Sequence, residues 1–439
     1  MISLFNKYKL FILLIIFAVS RYFIYQNPPL YYSDVTADYE RYANMWRYGL
    51  TPYREHLYEY PPATIPLLSI PLDLDQQGIG KYYPNYRFGV LIIDVIFFVF
   101  LLATMIKKLP WMKDRWFVSA LVYIGLTALA HDFYYEGIDV AFTAATLSAF
   151  LIPLWLRKPD SLFGQSITWL LFWLSTAIKF LTLPLVVPLF LLMSGNFFKK
   201  TVACFIGFFL TWGIAVLLYG SSLSVSFVFN NARPIKYASF PAYIIQVANA
   251  FTHSETQINL APDFPYSGPV SAQITSLNKI IFPLSILVVL GWAAVSIFNK
   301  LNKDKKWSIK NIYTSIFIDT PALSQIDRLK LLLKIYGIYV FTLFLTAKTF
   351  SQPFHFWYLS LLAIYPFSSK KILYLSWGLA LLMVMLDTTP YLALSGLGNV
   401  FGFFPVSLIR DAFRFIPMMA MLVLFLKYSD LLTEKSRGK

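Results

Sequence analysis

Charged residues are scarce in this 439-residue sequence: they make up 13% of it, against roughly 25% in a typical soluble domain. Hydrophobic residues account for 58%, and the mean hydropathy is +0.60. So few charges cannot cover a water-facing surface, and apolar stretches recur from one end of the chain to the other. The composition therefore excludes an ordinary soluble protein. It predicts one membrane domain over residues 1–439, without a separate soluble module.

Cysteine and histidine are also scarce. The single cysteine, Cys204, lies in an apolar run, which excludes an intramolecular disulfide and a cysteine-based zinc cluster. The 4 histidines show no metal-ligand spacing, so we expect neither a divalent metal nor another cofactor. The net charge of +15 comes largely from short basic loops between apolar segments. Such loops are topological signals, and nucleic-acid modules need a soluble face, so no nucleic-acid partner is expected.

Apolar segments that approach the length of a membrane-spanning helix recur along the chain. They predict an all-α, polytopic transmembrane helical bundle of about 12 spans, since each crossing needs about 20 mostly apolar residues. The first segment lacks a small-residue cleavage site, so we expect an uncleaved span instead of a signal peptide. The candidate spans are 10–25, 87–106, 116–130, 138–156, 165–179, 181–195, 201–219, 277–298, 331–347, 355–369, 371–386 and 408–427.

The basic residues between these segments predict the orientation. All the strong Lys/Arg clusters fall on one side when the spans are counted in this way, and the positive-inside rule assigns that side to the cytoplasm. Both termini are therefore expected in the cytoplasm. The opposite side receives a first outer loop, 26–86, and a long outer loop, 220–276. Loops of this size commonly carry function.

Acidic residues concentrate directly after the first span. Asp38 lies one helical turn after Asp34, so a helix here would present both carboxylates on one face. Glu59 and Tyr60 follow, before a double proline that stops a helix. A carboxylate beside the membrane is suited to act as a general base, because partial burial raises its pKa. The structural alternative is that Asp34 caps the first loop helix.

A second group of ionisable residues lies in the turn 131–139, around the start of the span at 138–156. Its members are His131, Asp132, Glu136 and Asp139. Their spacing allows the carboxylates to share a face, and ionisable groups at the ends of spans are costly unless they are paired or hydrated. Function, hydration and pairing with an arginine of the first loop all remain open.

Isolated cations on the outer side run against the positive-inside rule. They are Lys179, Lys348 and the ionisable His355. Binding of a phosphate group explains them, whereas snorkelling of the lysines to the interface is the structural alternative.

The first loop also has a recognisable arrangement. An aspartate directly after span one, Gly49-x-x-Pro52-Tyr53, and then Tyr60-Pro61-Pro62 before an apolar stretch resemble the GT-C superfamily of membrane glycosyltransferases. Within it, the pattern is most similar to polyprenyl-phosphate-mannose-dependent mannosyltransferases of the glycosyltransferase 87 type. The resemblance covers mainly residues 31–72, with weaker similarity at 131–139, 175–188 and 348–366.

The resemblance implies a helical bundle with amphipathic helices in the first outer loop, and inverting transfer of a hexose, mannose in this family, from a polyprenyl-phosphate sugar. The acceptor would be a lipid-linked or glycan hydroxyl, and Asp34 would be the general base. On the acidic, acceptor side we expect Asp38, Glu59, Tyr60, Asp132, Glu136 and Asp139. For the donor phosphate we expect Lys179, His355, Lys348, Arg41 and Arg54. A monophosphate leaving group explains the absence of a metal motif.

The expected location is a bacterial or archaeal plasma membrane, with the active site facing the non-cytoplasmic side. Two other functions remain open. A transporter or flippase of lipid-linked sugars would also have many spans, but such proteins tend to show internal repeats, and the sequence has none that we find. An outer-face polysaccharide polymerase or ligase typically has its main functional loop late in the chain, as the long loop 220–276 allows.

Overall fold

The structure is a computed structural model of the chain. It describes residues 2–29, 33–236, 238–253, 256–257, 266–301, 308–314, 318, 323–388, 399–400 and 404–428. Parts of the first outer loop, of the long loop 220–276 and of the segments 300–334 and 387–407 lie outside these residues. So does the basic tail from residue 429 onward.

The described residues are mainly helical. Their α-helices are α1 (Ile2–Gln26), α2 (Glu40–Arg47), α3 (Thr64–Gln76), α4 (Tyr82–Lys107), α5 (Trp116–Leu129), α6 (His131–Tyr134), α7 (Asp139–Leu151), α8 (Leu162–Ile178), α9 (Val186–Leu192), α10 (Phe197–Tyr219), α11 (Ser224–Ala232), α12 (Phe240–Thr252), α13 (Pro269–Leu301), α14 (Ile309–Tyr313), α15 (Gln325–Thr346), α16 (His355–Ile364), α17 (Lys370–Thr388) and α18 (Val406–Lys427).

Shorter elements connect these helices. A π-helix covers Val35–Tyr39, and 3₁₀ turns cover Pro110–Met112, Ile152–Leu154, Phe180–Leu185, Gly220–Leu223 and Gln352–Phe354. Within the described ranges, strands occur as antiparallel pairs of two-residue segments. Thr256–Gln257 pairs with Tyr266–Ser267, and Asn399–Val400 pairs with Phe404–Pro405.

The chain divides into two compact units. The first comprises Met1–Ala232 and Ala294–Leu332, and the second comprises Arg233–Ala293 and Leu333–Lys439. Helices α13 and α15 contribute residues to both. Each unit is described by itself below.

Six helical segments in the described part of the chain are long and apolar enough to cross a membrane, by length and composition. They are Tyr8–Gln26, Tyr82–Lys107, Phe197–Ala232, Pro269–Leu301, Gln325–Thr346 and Lys370–Thr388. Each of the other six predicted spans also contains a helix, and some of these are short. The segment 181–195, for example, becomes a 3₁₀ turn followed by the 7-residue α9, because Pro184 and Pro188 interrupt it. A membrane protein is therefore supported, whereas the count of twelve crossings and the orientation stay predictions.

The outward faces of the long helices are apolar. On α10, Phe209 and Leu217 are 66% and 77% exposed, and on α13, Ile280 and Leu287 are 65% and 64% exposed. A soluble protein rarely exposes such continuous apolar surface. A bilayer is the solvent in which these faces are stable, because hydrocarbon surrounds them without a hydration cost.

Helices α8 and α10 of the first unit pack closely because a glycine lies between them. A Cβ atom on Gly207 would lie 2.6 Å from the carbonyl carbon of Trp169. Small residues that let two backbones approach in this way are typical of helix contacts in membranes. Helix α8 begins at the capping residue Ser161, whose side chain accepts from the Gly164 amide.

The first loop contains the π-helix, α2 and α3. Helix α2 buries Tyr42 and Ala43 and exposes Arg41 and Arg47, so it is amphipathic. Helix α3 has 13 residues and spans only about 20 Å at the α-helical rise, which is too short to cross a bilayer.

In the second unit, α16 is buried along its whole length. Helix α12 packs on α18 through Phe240 and Phe415, whose ring centroids are 5.0 Å apart. Gly337 of α15 allows a close approach to Phe425 of α18, because a Cβ there would lie 2.4 Å from the phenyl ring.

Candidate functional site

The candidate site lies at one end of the first unit, where α1 ends, α4 and α7 begin and α8 ends. Asp34 is half-buried and directly precedes the π-helix Val35–Tyr39. Its backbone is already helical, and its side chain makes no capping hydrogen bond to that helix. The structure therefore does not support the alternative that Asp34 serves as a helix cap.

Tyr39 marks the centre of this site. Its ring is 1% exposed and contacts the rings of Tyr60 and Tyr86 at centroid distances of 5.5 Å and 5.4 Å. Burial raises the pKa of Tyr39 well above its ordinary value, and Tyr60, Tyr86 and the carboxylates of Asp34 and Asp139 raise it further. Both carboxylates therefore lie within electrostatic range of the same phenol, so residues from the first loop and from α7 meet here.

Asp139 and Lys179 form an ion pair at this end. The Lys179 Nζ lies 2.5 Å from the Asp139 Oδ1, and the side chains are 14% and 6% exposed. Lys179 follows the last residue of α8 in an extended conformation, which directs the chain away from the helix axis. The pair therefore joins the end of α8 to the start of α7.

The double-proline turn is attached to the same segment. The Ala63 amide donates to the Ala177 carbonyl at 2.8 Å, two residues before Lys179. The Tyr53 hydroxyl donates to the Tyr60 carbonyl at 2.6 Å and supports this turn from within the first loop. The structure thus brings together Asp34, Tyr60, Asp139 and Lys179, all of which the sequence predicted as site residues.

Glu136 is held beside Asp34 by a network of donors. Its carboxylate accepts from the Arg87 guanidinium, from the Ser33 hydroxyl and, at 2.9 Å, from the Tyr83 hydroxyl. Burial raises the pKa of Glu136, and these donors oppose the rise. Because Ser33 precedes Asp34, the network fixes the chain at the candidate base.

The remaining acidic residues of the first loop and the turn have local partners. Asp38 pairs with Arg41 at 2.9 Å on the surface, and His131 lies 3.2 Å from Asp132. Pairs this exposed contribute little to stability. Their positions give no support to a direct part in the chemistry.

Arg54 and Glu59 lie elsewhere in the first loop. The Arg54 guanidinium donates to the Leu218 carbonyl of α10. Burial, and then the neighbouring carboxylate of Glu59, raise the pKa of Tyr42 to about 12. Glu59 therefore lies near α2, and its carbonyl accepts from the Asn230 side chain at 3.0 Å.

His355 belongs to the second unit and lies in a buried polar cluster. Its Nδ1 is 2.7 Å from the Tyr358 hydroxyl, and its Nε2 is 2.5 Å from the Asp387 carboxylate. Arg414 pairs with the same carboxylate. Both ring nitrogens of His355 are therefore engaged, and a direct bond to a phosphate would require one of these contacts to open.

Lys348, also in the second unit, is half-buried. Its carbonyl accepts from the Lys236 amide at 2.7 Å. Burial, and then the like charges of Lys279 and Arg233, lower the pKa of Lys348. A basic environment of this kind is compatible with the predicted phosphate contact, which stays a prediction.

Sequence reasoning missed several charged residues that the structure shows to be buried. They are Arg21, Arg87, Asp94, Asp411 and Arg414, together with Asp387, whose side chain is inaccessible. Most are isolated charges at or inside apolar runs of the sequence. An ionisable residue in a membrane span is costly and usually has a role, so these isolated charges were the signal that could have identified them. Within the described part of the chain, no group of three or more His, Cys, Asp or Glu side chains could hold a metal ion.

The chain matches no protein-family model and no curated protein.

Proposed function

We propose that this protein is a membrane glycosyltransferase that transfers a hexose, mannose by the sequence resemblance, from a polyprenyl-phosphate sugar to a lipid-linked or glycan hydroxyl. The observation that carries the proposal is the convergence of half-buried Asp34 with the largely buried Asp139–Lys179 ion pair around Tyr39. A carboxylate base and a cation for a phosphate are the two groups that such a transfer needs at one place.

The reaction follows from these two groups. The Asp34 carboxylate removes the proton of the acceptor hydroxyl as that oxygen attacks the anomeric carbon. The bond from this carbon to the phosphate oxygen breaks on the opposite face, and the lipid phosphate leaves with the electron pair. The configuration inverts, through a transition state with oxocarbenium character like that of glycoside hydrolysis.

Lys179 supplies the charge that the leaving phosphate needs. Its ammonium has three donors, so it can keep its bond to Asp139 while donating to a phosphate oxygen. Asp139 orients the ammonium before the donor arrives, and such preorganised charge is worth more in a site with little water. The rings of Tyr39, Tyr60 and Tyr86 help to exclude water there.

The proposed membrane topology is based on the positions of the basic loops. We propose about 12 crossings with both termini in the cytoplasm, which places the ends of α1 and α8 on the non-cytoplasmic face of a bacterial or archaeal plasma membrane. Cysteine labelling tests this directly, since the chain has a single native cysteine. A cysteine introduced at exposed Arg47 should react with an impermeant maleimide from outside the cell.

A transporter or flippase of lipid-linked sugars is the second candidate. The buried Arg21–Asp94 ion pair inside two potential spanning helices favours it, because charges at such depth often mark a transport path. Scrambling of a fluorescent lipid-linked sugar in proteoliposomes would support this candidate if it depended on Asp94.

The test of the proposed activity is transfer by the purified protein in nanodiscs. The donor is radiolabelled polyprenyl-phosphate mannose, the acceptor is a lipid extract, and EDTA is present. Labelled product that forms with EDTA supports a metal-independent transferase. No transfer from mannose, glucose or arabinose donors, together with scrambling, would replace the proposal by the second candidate. A requirement for a diphosphate-linked donor would instead indicate a polymerase or ligase.

A further inference from the structure

A second ion pair lies deeper in the first unit. Arg21 of α1 and Asp94 of α4 are 2% and 0% exposed, and the Arg21 Nε is 2.7 Å from the Asp94 Oδ2. Both residues lie in helices that are apolar and long enough to span a membrane. Burying a charge pair carries a large desolvation cost, and an apolar pair of the same size often stabilises a fold equally well. The role of this pair is therefore best sought in what it holds in place.

The pair is connected to the last residue of α6 and to the turn that follows it. The hydroxyls of Tyr134 and Tyr135 each donate to the Asp94 carboxylate at 2.9 Å. The Arg21 guanidinium donates to the Thr127 hydroxyl at 2.9 Å and to the Tyr134 hydroxyl at 3.1 Å. One charge pair thus ties together α1, α4, α5 and the turn.

The next residue in the turn is Glu136, which the Arg87 guanidinium and the Ser33 hydroxyl bind. Arg87 also donates to the Ile24 carbonyl at 2.6 Å, three residues after Arg21 on α1. Arg87 and Asp94 lie about two turns apart on α4, so they share a face of that helix. The same helices therefore hold the turn at two levels, through Asp94 and through Arg87.

We propose that Arg21 and Asp94 are positioning residues for sugar transfer. They fix the Tyr134-Tyr135-Glu136 turn, and Glu136 then fixes Ser33 and the carboxylate of Asp34. This inference rests on the proposed function for its catalytic consequence. Its structural part, the immobilisation of the turn, stands on the contacts alone.

The first experiment removes the pair without leaving a buried charge. In the Arg21→Met/Asp94→Leu double variant, thermal unfolding in detergent should occur at a higher temperature than in Asp94→Leu alone, because no unpaired charge stays buried. The kcat of transfer should fall by roughly 10²-fold, the cost of a small misplacement of a reacting group. The donor KM should be unchanged, since Asp139 and Lys179 are not substituted. An unchanged kcat, or a change confined to KM, overturns the inference.

A milder variant covers the case in which the double variant does not fold. Tyr135→Phe removes one hydroxyl from Asp94 and keeps the ring, and it should lower kcat by roughly the tenfold expected for one lost buried hydrogen bond. Tyr22→Phe is the matched control, because Tyr22 is 68% exposed on the same helix as Arg21. Conservative Asp94→Glu should recover part of the activity lost in Asp94→Leu. Equal effects of Tyr135→Phe and Tyr22→Phe contradict the positioning role.

Hydrogen exchange separates failure of this inference from failure of the proposed function. Amides of residues 131–138 should exchange faster in the double variant and in Tyr135→Phe than in the wild type, with residues 162–178 unchanged. If the wild type transfers no sugar, the proposed function fails, and exchange still decides whether the pair holds the turn. Equal exchange in all the variants overturns the inference, whatever the enzyme does.

Discussion

The Lys179 ammonium lies 2.5 Å from the Asp139 carboxylate and joins the end of α8 to the start of α7. The pair is neutral as a whole, so it can be buried at the end of the helices with less cost than either charge alone. A phosphate that enters beside it meets a cation already in place. In the proposed site, this preorganised cation is the group that would bind the phosphate of the donor.

Lys179 should govern the affinity for the donor. In a Lys179→Gln/Asp139→Asn variant, which removes both charges and keeps hydrogen-bonding groups, the donor KM should rise by about ten- to a hundredfold, the value of a charge-assisted hydrogen bond. Asp139→Asn alone keeps the ammonium and should have the smaller effect on KM. Initial rates at varied donor concentration measure both, and an unchanged donor KM in the double variant would remove Lys179 from the phosphate site.

The Arg87–Glu136 pair should respond differently to single and double substitution. Arg87→Met or Glu136→Leu alone leaves a buried charge and should cost about 3–5 kcal/mol of unfolding free energy. The double variant should recover most of this stability, yet its transfer activity should stay low because Ser33 loses its acceptor. Thermal unfolding and transfer are measured on the same preparations. Double-variant activity equal to that of the wild type contradicts the role given to Glu136.

Packing of α8 against α10 should be sensitive at one glycine. Gly207→Ala places a methyl group 2.6 Å from the Trp169 backbone, so the helices must separate, at about 1–3 kcal/mol for an overpacked contact. Gly125→Ala in α5 is the control, because a Cβ there meets nothing within 4 Å. A clear loss of thermal stability is expected for the first variant and not for the second. Equal melting temperatures would show that the helices are not packed this closely.

Lys348 should make stability depend on pH. Because burial lowers its pKa in the folded state below the ordinary 10.5, folding disfavours the charged form. The cost in unfolding free energy of keeping the Lys348 ammonium in the folded protein is complete at pH values below its folded pKa. This cost disappears as the pH rises past 10.5, where the lysine is neutral in both states. Lys348→Gln should therefore raise the melting temperature at neutral pH, by an amount that shrinks as the solution becomes alkaline. The exposed Lys371→Gln is the control, and a benefit that grows with pH contradicts this assignment.

The sequence predicted the helical segments well because apolar length is a local property. Each predicted span contains a helix, although Pro184 and Pro188 shorten one that was expected to cross. The motif resemblance predicted Asp34, Tyr60 and Lys179 as site residues, and their roles stay predictions. Asp139 was anticipated from the cluster of charges in its turn.

The partners of the buried charges could not be predicted. For Glu136 the sequence left function, hydration and pairing with an arginine of the first loop open, and the structure pairs it with Arg87 of α4. Likewise, the Arg21–Asp94 pair depends on α1 and α4 being neighbours. Tertiary packing determines which helices are neighbours, and the spacing of charges along one segment does not reveal it.

The measurement that tests the central claim most directly compares Asp34→Asn with Asp38→Asn. Both changes remove one carboxylate from the same short helical segment, but Asp34 lies at the site and Asp38 pairs with exposed Arg41. Transfer from polyprenyl-phosphate mannose should fall by about 10²–10⁴-fold in Asp34→Asn, the contribution of a general base. It should stay near wild type in Asp38→Asn, with equal membrane insertion of both. Near-normal turnover by Asp34→Asn would show that Asp34 is not the base.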